Sequence, residues 1–223
     1  MTRLLMLVEG QSEEIFVKQT LAPHLADHGV FVQPIVLWTK RLAAGGGHRG
    51  GVSNWNQIRR SLLSLTFDTD AWITTLLDFY GLPDDVPGYQ EALLLPGNPR
   101  ERITGLEACL AAEINNQRFI PFLALHEFEA WVFCTADVLA KHFDRADLAG
   151  EVADAIAVAG EPELINHGKD THPKARLQAM ATGYKETSDG PILLGKIGIA
   201  AIRDACPHFA TWLSRLEALG SEA

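Results

Sequence analysis

The chain has 223 residues, 47% of them hydrophobic, with 19 Lys and Arg against 28 Asp and Glu for a formal charge of −9. This length and apolar content support one generous core and argue against disorder. The acidic balance speaks against broad electrostatic adhesion to nucleic acid, while leaving room for a local basic surface around acidic metal ligands.

The apolar run Arg3–Val8 reads as a buried first strand that breaks off at Glu9-Gly10. Ser12 is the expected N-cap of a helix with acidic Glu13 and Glu14 in its first turn, running to His28-Gly29. Val30–Trp38 reads as a second strand, which Pro34 assigns to an edge or an irregularity. The stretch Ala43–Gly51 (AAGGGHRGG) is a flexible loop; it lacks the Lys-Ser/Thr of a P-loop, and no helix follows directly. Its neighbours and members Lys40, Arg41, His48 and Arg49 could close over a phosphate backbone, or simply join a strand to a helix. Ser53 is the expected cap of a helix through Leu65, and Ala71–Leu77 a third strand bounded by Asp78. Pro83–Pro99 is loop-rich with one short helical piece, and Arg100–Asn116 is a helix. Phe119–Leu125 is a fourth strand followed by a helix-like EFEAWVF.

Four such β-α units close naturally as an α/β fold, a mostly parallel four-stranded sheet with helices on both faces. Beyond Thr135 helical periodicity is broken at Gly160, Pro162, Gly168, Pro173 and Gly190, which predicts short helices on the sheet edge or over the crevice. Residues 1–134 form the core, and 135–223 a helical extension packed on it within one continuous domain. Three cysteines (Cys109, Cys134, Cys206), far apart and without a CxxC pair, suggest neither zinc-ligand spacing nor a disulfide framework. Acidic residues follow the first apolar run too soon for a signal peptide. No stretch reaches the about 20 apolar residues of a membrane span. The expectation is a soluble cytoplasmic protein.

In a parallel sheet all strand C-termini open on one side. Strand one delivers Glu9 there, strand three Asp78, and strand four His126-Glu127 with Glu129 just beyond. Carboxylates converging in this way repel one another unless a cation neutralises them, and oxygen ligands select Mg²⁺ or Mn²⁺. Two such ions can activate a nucleophile and stabilise a leaving oxygen in phosphodiester hydrolysis. The plainer alternative is that each acid is a turn or cap residue, with Glu13 and Glu14 complementing the helix dipole. Were His126–Glu129 extended, Glu127 and Glu129 would face one way; on a helix they would diverge. His172, Lys174 and Arg176 open a helix, where a lysine could stabilise developing phosphate charge or the trio could be a solvated face. Trp72, Phe128 and Trp131 read as core, and Tyr80 and Tyr89 as substrate contacts. There is neither a Gly-x-Ser-x-Gly elbow nor a local Cys–His signature.

The sequence VEGQSEE followed by TTLLDFYGLP is similar to the start of a Toprim domain, the α/β module of topoisomerases, primases and overcoming-lysogenization-defect nucleases. More closely, VEGQSEE, LLDFYGLP, LHEFEAWVF and HPKARL, in that order over residues 8–177, resemble a bacterial family known as domain of unknown function 4276. The resemblance implies that Glu9 and Asp78 hold a divalent metal, Mg²⁺ or Mn²⁺. Tyr80 replaces the second Asp of the Toprim Asp-x-Asp, and Glu127 or Glu129 would fill its place. Glu9, Asp78 and Lys174 would then act in catalysis, with Glu13, Tyr80, His126, Arg49 and Arg176 against the substrate. It further implies a nuclease or nuclease-like subunit in antiphage defence, with an ATPase partner and nucleic acid as substrate. The competing expectations are a catalytically degenerate module that docks on an ATPase and a small-molecule phosphohydrolase.

Overall fold

In the computed structural model, which describes residues 1–37, 54–165, 168 and 170–221, a two-residue alternation decides how the sheet is clothed. Along β1 (Thr2–Val8), Leu4, Met6 and Val8 enter one hydrophobic cluster and Leu7 enters another on the opposite face. Along β3 (Ala71–Asp78), Leu76 joins the first cluster while Ile73 and Leu77 join the second. A strand apolar on both faces is the mark of a parallel sheet covered on both sides.

The sheet is parallel throughout, in the order β2–β1–β3–β4. β2 (Val30–Val36) is an edge strand, so Pro34 leaves no inner ladder unsatisfied. β4 (Phe119–Ile120) and β5 (Leu123–Ala124) both pair with β3 and form one strand interrupted at Pro121. Two threonine hydroxyls repair that interruption. The Thr75 hydroxyl donates to the Phe122 carbonyl (2.7 Å) and accepts from the Phe122 N–H (2.8 Å). The Thr74 hydroxyl donates to Ile120 O (2.6 Å) and accepts from the Trp212 indole (2.9 Å). Polar side chains on a core strand thus complete a ladder that proline cannot, satisfying the rule that buried backbone groups are paired.

After β1 the chain runs through α1 (Gln11–Phe16), a π turn (Val17–Leu21) and α2 (Ala22–Asp27) as one helical rod. The cap of α1 is Gly10, not Ser12. Glu13 reaches back to accept from the Gly10 N–H (2.9 Å), so the helix starts two residues earlier than hydroxyl preference predicts. Asn54 caps α3 (Trp55–Leu65) by accepting from the Gln57 N–H (3.1 Å), while Ser53 lies outside the described residues. α3 and α5 (Pro99–Ile114), with α4 (Tyr89–Leu94) between them, cover the second face.

The first face is covered by α1, by a 3₁₀ stretch (Phe128–Cys134) and by the C-terminal helices. Those helices are α6 (Ala136–His142), α7 (Leu148–Ala159), α8 (Pro173–Met180), α9 (Glu186–Ala205) and α10 (Pro207–Ala218). Of the two places expected for them, the sheet edge and the space over the crevice, they take a sheet face that reaches the crevice: α9 packs on α1 and the 3₁₀ stretch, and Trp212 of α10 stacks on Phe122 (4.2 Å, 14°). The segment EFEAWVF winds as 3₁₀ with Phe128, Trp131, Val132 and Phe133 all buried, so it has no polar face on which an α stripe could turn. Packing also brings Cys134 and Cys206 to 3.4 Å, closer than their sequence separation suggests. Among the described residues no helix is long and apolar enough to cross a membrane.

Thr75→Val is expected to destabilise the protein by about 2–4 kcal/mol, because both Phe122 backbone groups lose their partner in the core. Thr75→Ser keeps the hydroxyl and should cost about 1 kcal/mol in the same urea-unfolding measurement. A larger cost for Thr75→Ser than for Thr75→Val would show that the methyl group, not the hydroxyl, matters here.

Candidate active site at the sheet switch point

From β1 the chain crosses to β2 on one side, and β3 then returns to the other side of β1. The C-terminal ends of β1 and β3 therefore flank the topological switch point, where open α/β sheets form their ligand crevice. Glu9 immediately follows β1 and Asp78 ends β3. The Glu9 carboxylate lies against Gly81, where an added Cβ would come within 3.2 Å of Oε1, so the residue opposite it is kept small. Asp78 Oδ1 accepts from the Phe128 N–H (2.8 Å), fastening the end of β3 to the segment beyond β5. The Tyr80 N–H donates to the carbonyl of buried His126 (2.9 Å), making a second fastening across the same gap.

The two glutamates after strand four have different employment. Glu127 is extended and its Oε2 accepts from His172 Nδ1 (2.8 Å) and from the Lys174 N–H (2.9 Å). It thereby holds the first turn of α8 to the rim. His172 in turn stacks beneath the exposed Tyr80 ring (4.8 Å, 23°). Glu129 is only 2% exposed, and its Oε1 has no hydrogen-bond partner among the described residues. The Tyr184 hydroxyl, also buried, has none among them either. Lys174 pairs through Nζ with Glu186 at the start of α9. Arg176 Nε donates to the Thr171 carbonyl (2.7 Å) within its own turn. Arg49, with Lys40, Arg41 and His48, lies outside the described residues.

Electrostatically these acids form one group. Burial, then the Glu13 charge, pushes Glu9 up to about 7, although the Asp78 backbone N–H acts the other way. Burial, then the charges of Glu9 and Glu129, holds Asp78 well above the usual carboxylate range. Burial, then Glu127 and Glu186, does the same to Glu129. Burial raises Glu13 too, against the opposing Gly10 N–H. Burial draws the Lys174 ammonium down, but its bond to Glu186 and the charges of Glu129 and Glu127 outweigh this and hold it above its usual value.

The structure therefore gathers Glu9, Glu13, Asp78, Glu127, Glu129 and Lys174 around one crevice. It adds Glu186 and Tyr184, which local sequence patterns do not signal, since they arrive only when α9 docks on α1. An all-oxygen donor set suits Mg²⁺ or Mn²⁺. The Glu129 Oε1, unpartnered among the described residues, and the charges of Glu9 and Glu129 acting on Asp78 fit a cation at this point. Among the described residues, the three-residue group with all ligand atoms within 4.8 Å of one another is His24, His28 and Glu217. No three rim carboxylates among the described residues meet that limit, so an ion there would be held by one or two of them directly and by the others through water.

Because Glu9 binds its proton more tightly folded than unfolded, its contribution to stability is full below pH 4.5 and is lost as the pH rises through about 7. In metal-free buffer, wild type should lose stability relative to Glu9→Gln between those values, by on the order of 3 kcal/mol. Chemical denaturation across the pH range measures this. Parallel profiles for the two proteins would show that Glu9 titrates normally.

One solved structure, the C-terminal region of the OLD protein of Xanthomonas campestris pv. campestris, aligns over 96% of this chain and 97% of its own. The identity is 15% and the TM-score 0.35. No curated protein matches the chain. The family described as Domain of unknown function (DUF4276) matches residues 8–217, nearly the whole sequence, and the chain belongs to that family.

Proposed function

We propose that this protein is a Toprim-like, Mg²⁺- or Mn²⁺-dependent phosphodiester hydrolase, a nuclease or nuclease-like subunit. One observation carries the reading: the charges of Glu9 and Glu129 both bear on buried Asp78 at the switch point, and a buried Glu129 oxygen has no hydrogen-bond partner among the described residues. Glu9, Asp78 and Glu129 would hold the ion, and a divalent cation there supplies charge neutralisation and an acidified water. Glu127 orients rather than ligates, since its Oε2 is committed to His172 and the Lys174 backbone. Without the ion, Glu9 is raised to about 7 and holds a proton near neutrality, which metal binding would release. Lys174, now on Glu186, is the cation within the crevice that can meet phosphate charge. The exposed Tyr80 ring, backed by His172, offers a face on which a base can stack. The setting in bacterial antiphage defence beside an ATPase partner rests on family resemblance.

A second reading, a degenerate module docking on an ATPase, is favoured by Tyr80 at the position of the second Asp. Calorimetric titration of Mn²⁺ separates the two. Wild type should bind, and Asp78→Asn and Glu129→Gln should each weaken binding by about 100-fold or more. Single- and double-stranded DNA should then be cut in Mn²⁺ by wild type and not by Asp78→Asn. A folded protein that ignores Mn²⁺ would make the carboxylates structural and leave the docking reading standing.

A further inference from the structure

A second cluster lies away from the crevice, where α2 meets α10. His24 and His28 stand one helical turn apart at the end of α2, so both rings point to the same side. Their ring centroids are 5.1 Å apart. Glu217 of α10 reaches between them, its Oε1 2.6 Å from His24 Nε2 and 3.5 Å from His28 Nε2. In a tetrahedral site with metal–nitrogen bonds of about 2.0 Å, neighbouring ligand atoms are about 3.3 Å apart. The His28–Glu217 spacing is already close to that, and the His24–Glu217 contact needs to open by less than about 1 Å. Arg203 also bonds Glu217 Oε1, and so serves as the cation of the metal-free cluster. An ion on the histidines would take Oε1 and leave Oε2 to the guanidinium. His28 is 42% exposed, which leaves a side open for a water ligand. A groove between the π turn and α9, lined by Thr20, Pro23, His24, Asp27, Lys196 and Ile199, leads in from solvent.

We propose that His24, His28 and Glu217 form a Zn²⁺ site that staples the last helix to α2. Two imidazoles and one carboxylate select a borderline transition metal rather than Mg²⁺. The staple would reinforce a junction already made by the Thr2 hydroxyl, which donates to the Leu219 carbonyl (2.9 Å), and by Gly220 packed against the His28 carbonyl.

The test is a Zn²⁺ titration of tag-free, chelator-stripped protein by calorimetry, with Co²⁺ absorption reporting ligand geometry. Wild type should bind one ion in this cluster, and Zn²⁺ should raise its Tm. His28→Ala, whose side chain is partly exposed and whose fold can be checked by circular dichroism, should weaken binding by about tenfold or more and abolish the Tm shift. His24→Ala should do the same, and Glu91→Gln, an exposed acid on α4 outside both clusters, should change nothing. Absence of Zn²⁺ binding, or binding that both histidine variants leave intact, would overturn the proposal.

Discussion

The structure turns on the burial of like charges where β1 and β3 end. Glu9, Glu13, Asp78 and Glu129 are buried at this sheet edge, where Glu13 raises the proton affinity of Glu9, and Glu9, Glu129 and Glu13 raise that of Asp78. Part of the cost is met locally: the Gly10 N–H serves Glu13 and the Phe128 N–H serves Asp78. Lys174 supplies a positive charge, although it is shared with Glu186. The rest of the repulsion is relieved by proton uptake, which the raised proton affinities of Glu9, Asp78 and Glu129 express, and a cation bound there would relieve it too.

The same carboxylates assemble the scaffold around them. Pro121 interrupts the fourth strand, and Thr74 and Thr75 bridge the break so that the chain can leave the sheet as a 3₁₀ turn. That turn is held to β3 by Asp78 and carries Glu127 and Glu129 to the rim. Glu127 then fixes the first turn of α8, which positions Lys174, and Lys174 pairs with the start of α9. Removing an acid here therefore disturbs geometry as well as charge, and metal binding must be read beside a stability measurement.

Much of this is visible along the chain because parallel strands are buried on both faces and read as unbroken apolar runs. Leu4–Val8 is such a run and Ala71–Leu77 is one apart from Thr74 and Thr75, and the first carboxylate after each falls at the same sheet edge. Ser12 misleads because the carboxylate that closes a capping box, Glu13, stands three residues after Gly10 rather than after Ser12, so the helix starts at Gly10. Phe119–Leu125 reads as one strand because an apolar run conceals the donor that Pro121 lacks. The His24–His28 spacing can be read on a helix, but its significance depends on Glu217 arriving from nearly the other end of the chain.

By itself, the sequence determines the parallel α/β class and the placement of Glu9 and Asp78 at strand ends, because alternation, strand length and the first polar residue are local properties. Only the tertiary structure decided that Glu127 anchors α8 while Glu129 keeps a free oxygen. It alone brought Glu186 and Tyr184 to the crevice and Glu217 to the two histidines. Those partnerships join residues far apart in the chain, and they exist only because burying the apolar faces of α9 and α10 brings the polar residues they carry into reach of these sites.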